Sequence, residues 1–73
     1  MSTFEMIPVS SSNVESIGYD PETQILHVKF IGGSLYQYLN VPQIEYDQLI
    51  NAPSIGSYLN RNIKGLYAYQ KIG

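Results

Sequence analysis

The chain has 73 residues, no cysteine, six acidic residues against four Lys and Arg, and a formal net charge of −2. Those numbers exclude a second domain, a disulfide framework, a thiolate metal site and a strongly electrostatic nucleic-acid binder. A chain this short buries roughly 60% of the surface its unfolded form exposes. With 44% apolar residues it has enough to do so, and stability rests on packing or on packing plus self-association.

No run of about 18 apolar residues occurs. Met1-Ser2-Thr3-Phe4-Glu5-Met6 lacks the basic region and apolar core of a signal peptide, so a cytoplasmic location is expected. Residues 1–8 read as a flexible N-terminal arm ending at Pro8, with a single domain over 9–73. Ser10-Ser11-Ser12-Asn13 is turn material. Val14 to Tyr19 is a weak strand in which Gly18 marks a bulge or a close backbone approach. Asp20-Pro21-Glu22-Thr23 then makes a turn, because proline presets its dihedral and aspartate can accept from nearby amides.

The clearest strand is 25–31, with Leu26, Val28 and Phe30 on one face and His27 and Lys29 on the other. Gly32-Gly33-Ser34 supplies a hairpin turn into a strand over 34–40. There Tyr36 and Tyr38, two apart, share a face that Leu35 and Leu39 do not. Pro42 suits a helix start, and Tyr46, Leu49 and Ile50 fall on one helical side. Ala52-Pro53 ends that helix. Ser54 caps a second, short one over 55–64, with apolar stripe Ile55, Tyr58, Leu59 and Ile63 and a stop at Gly65. Residues 66–72 alternate again as a final edge strand, with Tyr67 and Tyr69 two apart. The expected fold is α+β: a three-stranded antiparallel β-meander, two short helices and a C-terminal edge strand.

Catalysis and metal binding find little support. His27 is the single histidine and sits mid-strand on a polar face, while Ser11, Ser12 and Ser54 have turn or capping roles. A non-enzyme with no cofactor is expected. Gly32-Gly33 precedes a strand rather than a helix, so it is no phosphate cradle. Charge, however, is segregated: residues 1–47 carry −5 and residues 48–73 carry +3, from Arg61, Lys64 and Lys71. Arg61 and Lys64, three apart on a helix, could meet phosphate oxygens.

The succession Val9-x-Ser11-Ser12, Ile17-Gly18-Tyr19-Asp20, Leu26-x-Val28-x-Phe30, Gly33, Tyr36-x-Tyr38, Val41-Pro42, Ala52-x-Ser54-x-Gly56 and Asn60 resembles the KTSC domain. That small domain is named for a C-terminal extension of some lysyl-tRNA synthetases and also occurs alone in bacterial and phage proteins, with a central Tyr-x-Tyr. The resemblance covers about residues 7–72. It implies no settled activity; attachment to a synthetase makes RNA the ligand class it implies.

Two arrangements of the tyrosine pair stay open. A two-residue turn at Gly32-Gly33 pairs Ile31 with Ser34, hence Lys29 with Tyr36 and His27 with Tyr38, and makes those four a surface opposite the core. A register one residue different turns the tyrosines into core, which is the side the resemblance favours. The leading expectation is a non-catalytic module for RNA or single-stranded DNA, stacking bases on Tyr36, Tyr38 and His27 and holding phosphate with Lys29, Arg61 and Lys64. The rival is a protein-interaction module, self-associating as a homodimer through the edge at residues 66–72. A phage- or defence-related regulator of a host protein is a third reading.

Overall fold

Short segments of alternating apolar residues, separated by Asp20-Pro21 and Gly32-Gly33, can bury a face only by pairing with one another. In the computed structural model, which describes residues 5–73, they form one antiparallel sheet. Its strands are β1 (Ile7–Pro8), β2 (Val14–Asp20), β3 (Ile25–Phe30), β4 (Leu35–Tyr38) and β5 (Tyr69–Lys71), side by side in sequence order. Between β4 and β5 come α1 (Gln43–Ile50) and α2 (Ile55–Tyr58), the latter running into a π-helical turn over Leu59–Ile63.

The meander and its two helices stand as expected, but the sheet has five strands. Of the expected arm, residues 1–4 lie outside the described residues, whereas Ile7 and Pro8 pair with Ile17 and Ser16. The bulge falls between Val14 and Ser16 rather than at Gly18, which pairs regularly with His27.

One sheet face carries Val14, Ile17, Leu26, Val28 and Tyr38, each at most 2% exposed, and packs against Val41, Leu49, Leu59 and Ile63. Of the three residues expected on the inner side of α1, Leu49 is buried and Tyr46 stacks on Tyr19 at 4.9 Å between ring centroids, whereas Ile50 is exposed. Ser54 caps α2 by accepting from the Ser57 amide. Gly56 lets α2 approach the loop before β2: a Cβ there would stand 2.5 Å from Asn13 Oδ1.

The hairpin between β3 and β4 fixes the orientation of the tyrosines. Phe30 N–H donates to the Ser34 carbonyl and Gly33 N–H donates to the Phe30 carbonyl, both at 2.8 Å, so the loop is Ile31-Gly32-Gly33. Gly33, at φ +100°, takes the positive-φ position of such a loop. Three loop residues instead of two shift the register by one. Tyr36 faces Val28, Tyr38 faces Leu26, and Lys29 faces Leu35. The expected surface of His27, Lys29, Tyr36 and Tyr38 is therefore corrected: the tyrosines share the core face, and His27 and Lys29 lie on the other side.

The two loop glycines should respond differently to alanine. Neither has an atom within 4 Å of an added Cβ, so only backbone conformation separates them. Gly33→Ala should cost about 1–2 kcal/mol in urea unfolding, whereas Gly32→Ala should be neutral or slightly stabilising. Equal effects would contradict this loop geometry.

Candidate functional site

The helices cover only part of the tyrosine face. At the end nearer α1, Tyr38 is sealed under the core, and burial together with its Tyr36 and Tyr69 neighbours pushes its hydroxyl pKa up. Toward the hairpin the cover stops, leaving a groove of about 550 Å³ lined by Phe30, Ser34, Tyr36, Tyr38, Lys64, Gly65 and Tyr69. That volume lies within the roughly 300–1,000 Å³ of small-ligand sites.

Each wall has a local cause. Register places Tyr69 of β5 beside Tyr38 and Lys71 beside Tyr36, so all four side chains share one face. The rings of Tyr36 and Tyr69 stand 5.7 Å apart, and those of Tyr38 and Tyr69 stand 5.8 Å apart. Tyr36 and Tyr38 are near-parallel at 6.4 Å. Phe30 meets Tyr36 edge-on at 5.5 Å, an arrangement the ring quadrupoles favour. The π-helical turn closes with the Lys64 amide donating to the Leu59 carbonyl, and its end brings Lys64 Nζ to 5.0 Å from the Phe30 ring centre.

A carboxylate clasp holds the approach to β5. Glu45 of α1 accepts from the Tyr58 hydroxyl of α2 and, at 3.0 Å, from the Tyr67 hydroxyl just before the edge strand. The hydrogen bond to Glu45, then burial, then the negative charge push the Tyr58 hydroxyl up to about 12. Burial, followed by the Glu45 contacts, raises Tyr67 as well. The second Tyr-x-Tyr thus splits its roles: Tyr67 anchors the chain and Tyr69 lines the groove.

Of the expected site residues, Tyr36, Tyr38 and Lys64 come together. His27 and Lys29 do not join them; they lie on the sheet face away from the helices, where Lys29 pairs with Glu15 at 3.5 Å. Burial lowers the His27 pKa, with Asp20 opposing. Arg61 is exposed in the π-helical turn and is not among the groove-lining residues. The groove residues missed in sequence are Phe30 and Tyr69, with Lys71 beside them. Tyr69 had a signal in the repeated tyrosine spacing, whereas Phe30 reads from its alternation as ordinary core. Among the described residues, no group of three or more His, Cys, Asp or Glu could hold a metal ion, and no helix is long and apolar enough to cross a membrane.

With this geometry in hand, comparison with known proteins is decisive about kinship. The model of the KTSC domain matches residues 10–67. The chain belongs to the KTSC domain family. The crystal structure of a KTSC domain protein from Yersinia pestis superposes with a TM-score of 0.91 at 40% identity, covering 97% of this chain and 100% of that one. A protein of Tsukamurella paurometabola is 46% identical over 59 residues, which is 81% of this chain and 88% of that protein. The lysine–tRNA ligase of a Nostoc species is 36% identical over 69 residues, 94% of this chain but 12% of the ligase. The KTSC chain thus matches one small part of that enzyme.

The clasp has a pH signature. A tyrosine whose folded-state pKa is raised holds its proton more tightly when folded. Tyr58 therefore contributes stability that is full below its unfolded pKa of 10.0 and is lost as pH climbs toward about 12. Absorbance titration at 295 nm should show late tyrosine ionisation that includes a component near 12 from Tyr58, and that component should move back toward 10 in Glu45→Gln. A late component that does not move in Glu45→Gln would rule the clasp out.

Proposed function

We propose that this KTSC domain is a non-catalytic module that binds short single-stranded RNA in the groove between β3, β4, β5 and the end of the π-helical turn. The observation that carries this reading is the assembly of Phe30, Tyr36, Tyr38 and Tyr69 around one groove, with Lys64 in its lining and Lys71 beside Tyr36. Aromatic rings offer base-stacking surfaces without demanding a particular sequence, and lysines flanking them can meet the backbone phosphates. Paired bases in a duplex are already stacked, so the groove suits unpaired ones.

Charge supports the assignment more locally than the net −2 suggests. Of the three cations in residues 48–73, Lys64 lines the groove and Lys71 is the cross-strand neighbour of Tyr36, and no acid occurs in that segment. A relative in which the matching stretch belongs to a lysine–tRNA ligase, an enzyme whose substrate is an RNA, points the same way. A catalytic role lacks its parts: His27 is on the far side of the sheet, while Ser11 and Ser54 are engaged in a turn and a helix cap.

Fluorescence anisotropy with a short labelled single-stranded RNA at low salt tests the reading. Binding should weaken as salt rises, with a log–log slope of about −1.4 for two neutralised phosphates. Tyr69→Ala should cost about 1–3 kcal/mol of affinity, the worth of one stacked base. Lys64→Ala should flatten the slope, and His27→Ala and Lys29→Ala should change nothing. Absence of binding at low salt would falsify the proposal, and equal losses from the His27 and Tyr69 variants would move the site off the groove.

A further inference from the structure

A sheet of sequential strands has two open edges, here β1 and β5, and they are not equivalent. On β1, Val9 N–H donates to the Glu15 carbonyl, so by strand alternation the backbone of Pro8 faces away from β2. Proline there loses no bond to β2 and removes the outward donor, which blunts that edge. On β5 the Ile72 amide donates to the Leu35 carbonyl, so Gln70 and Ile72 point their backbone groups at β4 while Tyr69 and Lys71 point theirs outward. No proline interrupts it, and among the described residues no strand pairs with its outer side. Apolar exposure does not by itself separate the edges, since Ile7 of β1 is 46% exposed, Tyr69 of β5 60% and Ile72 just beyond it 48%; the backbone donors do.

We propose that β5 is a self-association edge on which a second copy of this chain pairs antiparallel, fusing the aromatic grooves of the two copies on one face. The edge is complementary to itself. With a two-fold axis through Gln70, Tyr69 of one copy stands opposite Lys71 of the other. Each such pair exchanges both outward backbone bonds, the arrangement of a hydrogen-bonded antiparallel pair. Opposed residues share a face, so the ammonium of one copy lies beside a tyrosine ring of the other, and the two lysines are not placed opposite each other.

The axis stands perpendicular to the sheet and keeps both grooves on the same side. Tyr36 and Lys71 of one protomer then continue into Tyr69 and Tyr38 of its partner, so the second copy contributes residues to the site. The dimer rests on the edge geometry alone; the consequence, a longer single-stranded RNA track with lysines near its middle, rests on the ligand proposed above.

Sedimentation equilibrium of the full chain without RNA is the test. The apparent mass should rise from 8.2 kDa toward twice that value between about 10 μM and about 1 mM, the weak range suited to so short an edge. Lys71→Pro removes an outward amide without touching a β4 bond, and Tyr69→Lys sets lysine against lysine while keeping every amide. Both should remain at the monomer mass. Tyr69→Lys, whose side chain is mostly solvent-facing, keeps the test valid should the proline variant unfold by circular dichroism. A wild-type chain that stays monomeric to about 1 mM overturns the proposal, as does a folded Tyr69→Lys variant that associates like the wild type. RNA anisotropy separates the two readings: a monomer that binds RNA removes only the dimer, and a dimer that ignores RNA removes only the ligand.

Discussion

Everything that distinguishes one face of this KTSC domain from the other follows from the length of the Ile31-Gly32-Gly33 loop. Side chains on a strand alternate, so pairing β3 and β4 one residue out would exchange every inward group for its outward neighbour. Gly33 at φ +100° makes the three-residue closure accessible without the steric cost a Cβ would bring. With that closure, Tyr38 meets Leu26 and Tyr36 meets Val28, and the sheet acquires one apolar side rather than two mixed ones.

The tyrosine pair then serves two purposes along one strand. Tyr38 lies where the helices close over the sheet and is 2% exposed, while Tyr36 lies where they end and is half-buried beside Phe30. The π-helical turn matters at this boundary: Leu59 and Ile63 remain buried while the chain leaves the helix at Lys64 and turns at Gly65. A structural core and a ligand groove are thus contiguous, and the rings that line the groove are held by packing against residues that line the core. Such support preorganises a binding surface and keeps the ordering cost of association low.

The other end of the groove depends on Glu45. Its carboxylate gathers hydroxyls from α2 and from the segment before β5, so the edge strand is tied to both helical elements as well as to β4. Without sulfur bridges, a chain of 73 residues relies on such polar ties where its apolar core runs out. The two sheet edges show the same economy. Pro8 protects β1 at no cost in bonding to β2, and β5 is left short, polar in its middle and flanked by exposed apolar groups.

The amino-acid sequence alone determined the fold class, the positions of the central strands and helices, the Ser54 cap and the kinship carried by the order of short motifs. Those properties are local: alternation, helical spacing and turn chemistry act over a few residues. The strand at Ile7–Pro8 escaped notice because two residues leave no periodicity to read. The sequence also marked Tyr36, Tyr38 and Lys64 as residues of interest, but it could not say that Phe30 and Tyr69 join them. That grouping needs β5 placed beside β4 across the whole intervening segment 39–68. Nor could it place His27 and Lys29 away from the tyrosines, because the Gly-Gly turn is compatible with either loop length. Only the tertiary structure decided that. The burial of Tyr38 beside Leu26, in the same core as Leu49 and Leu59, selects one register, and a two-residue loop would turn that ring out into water.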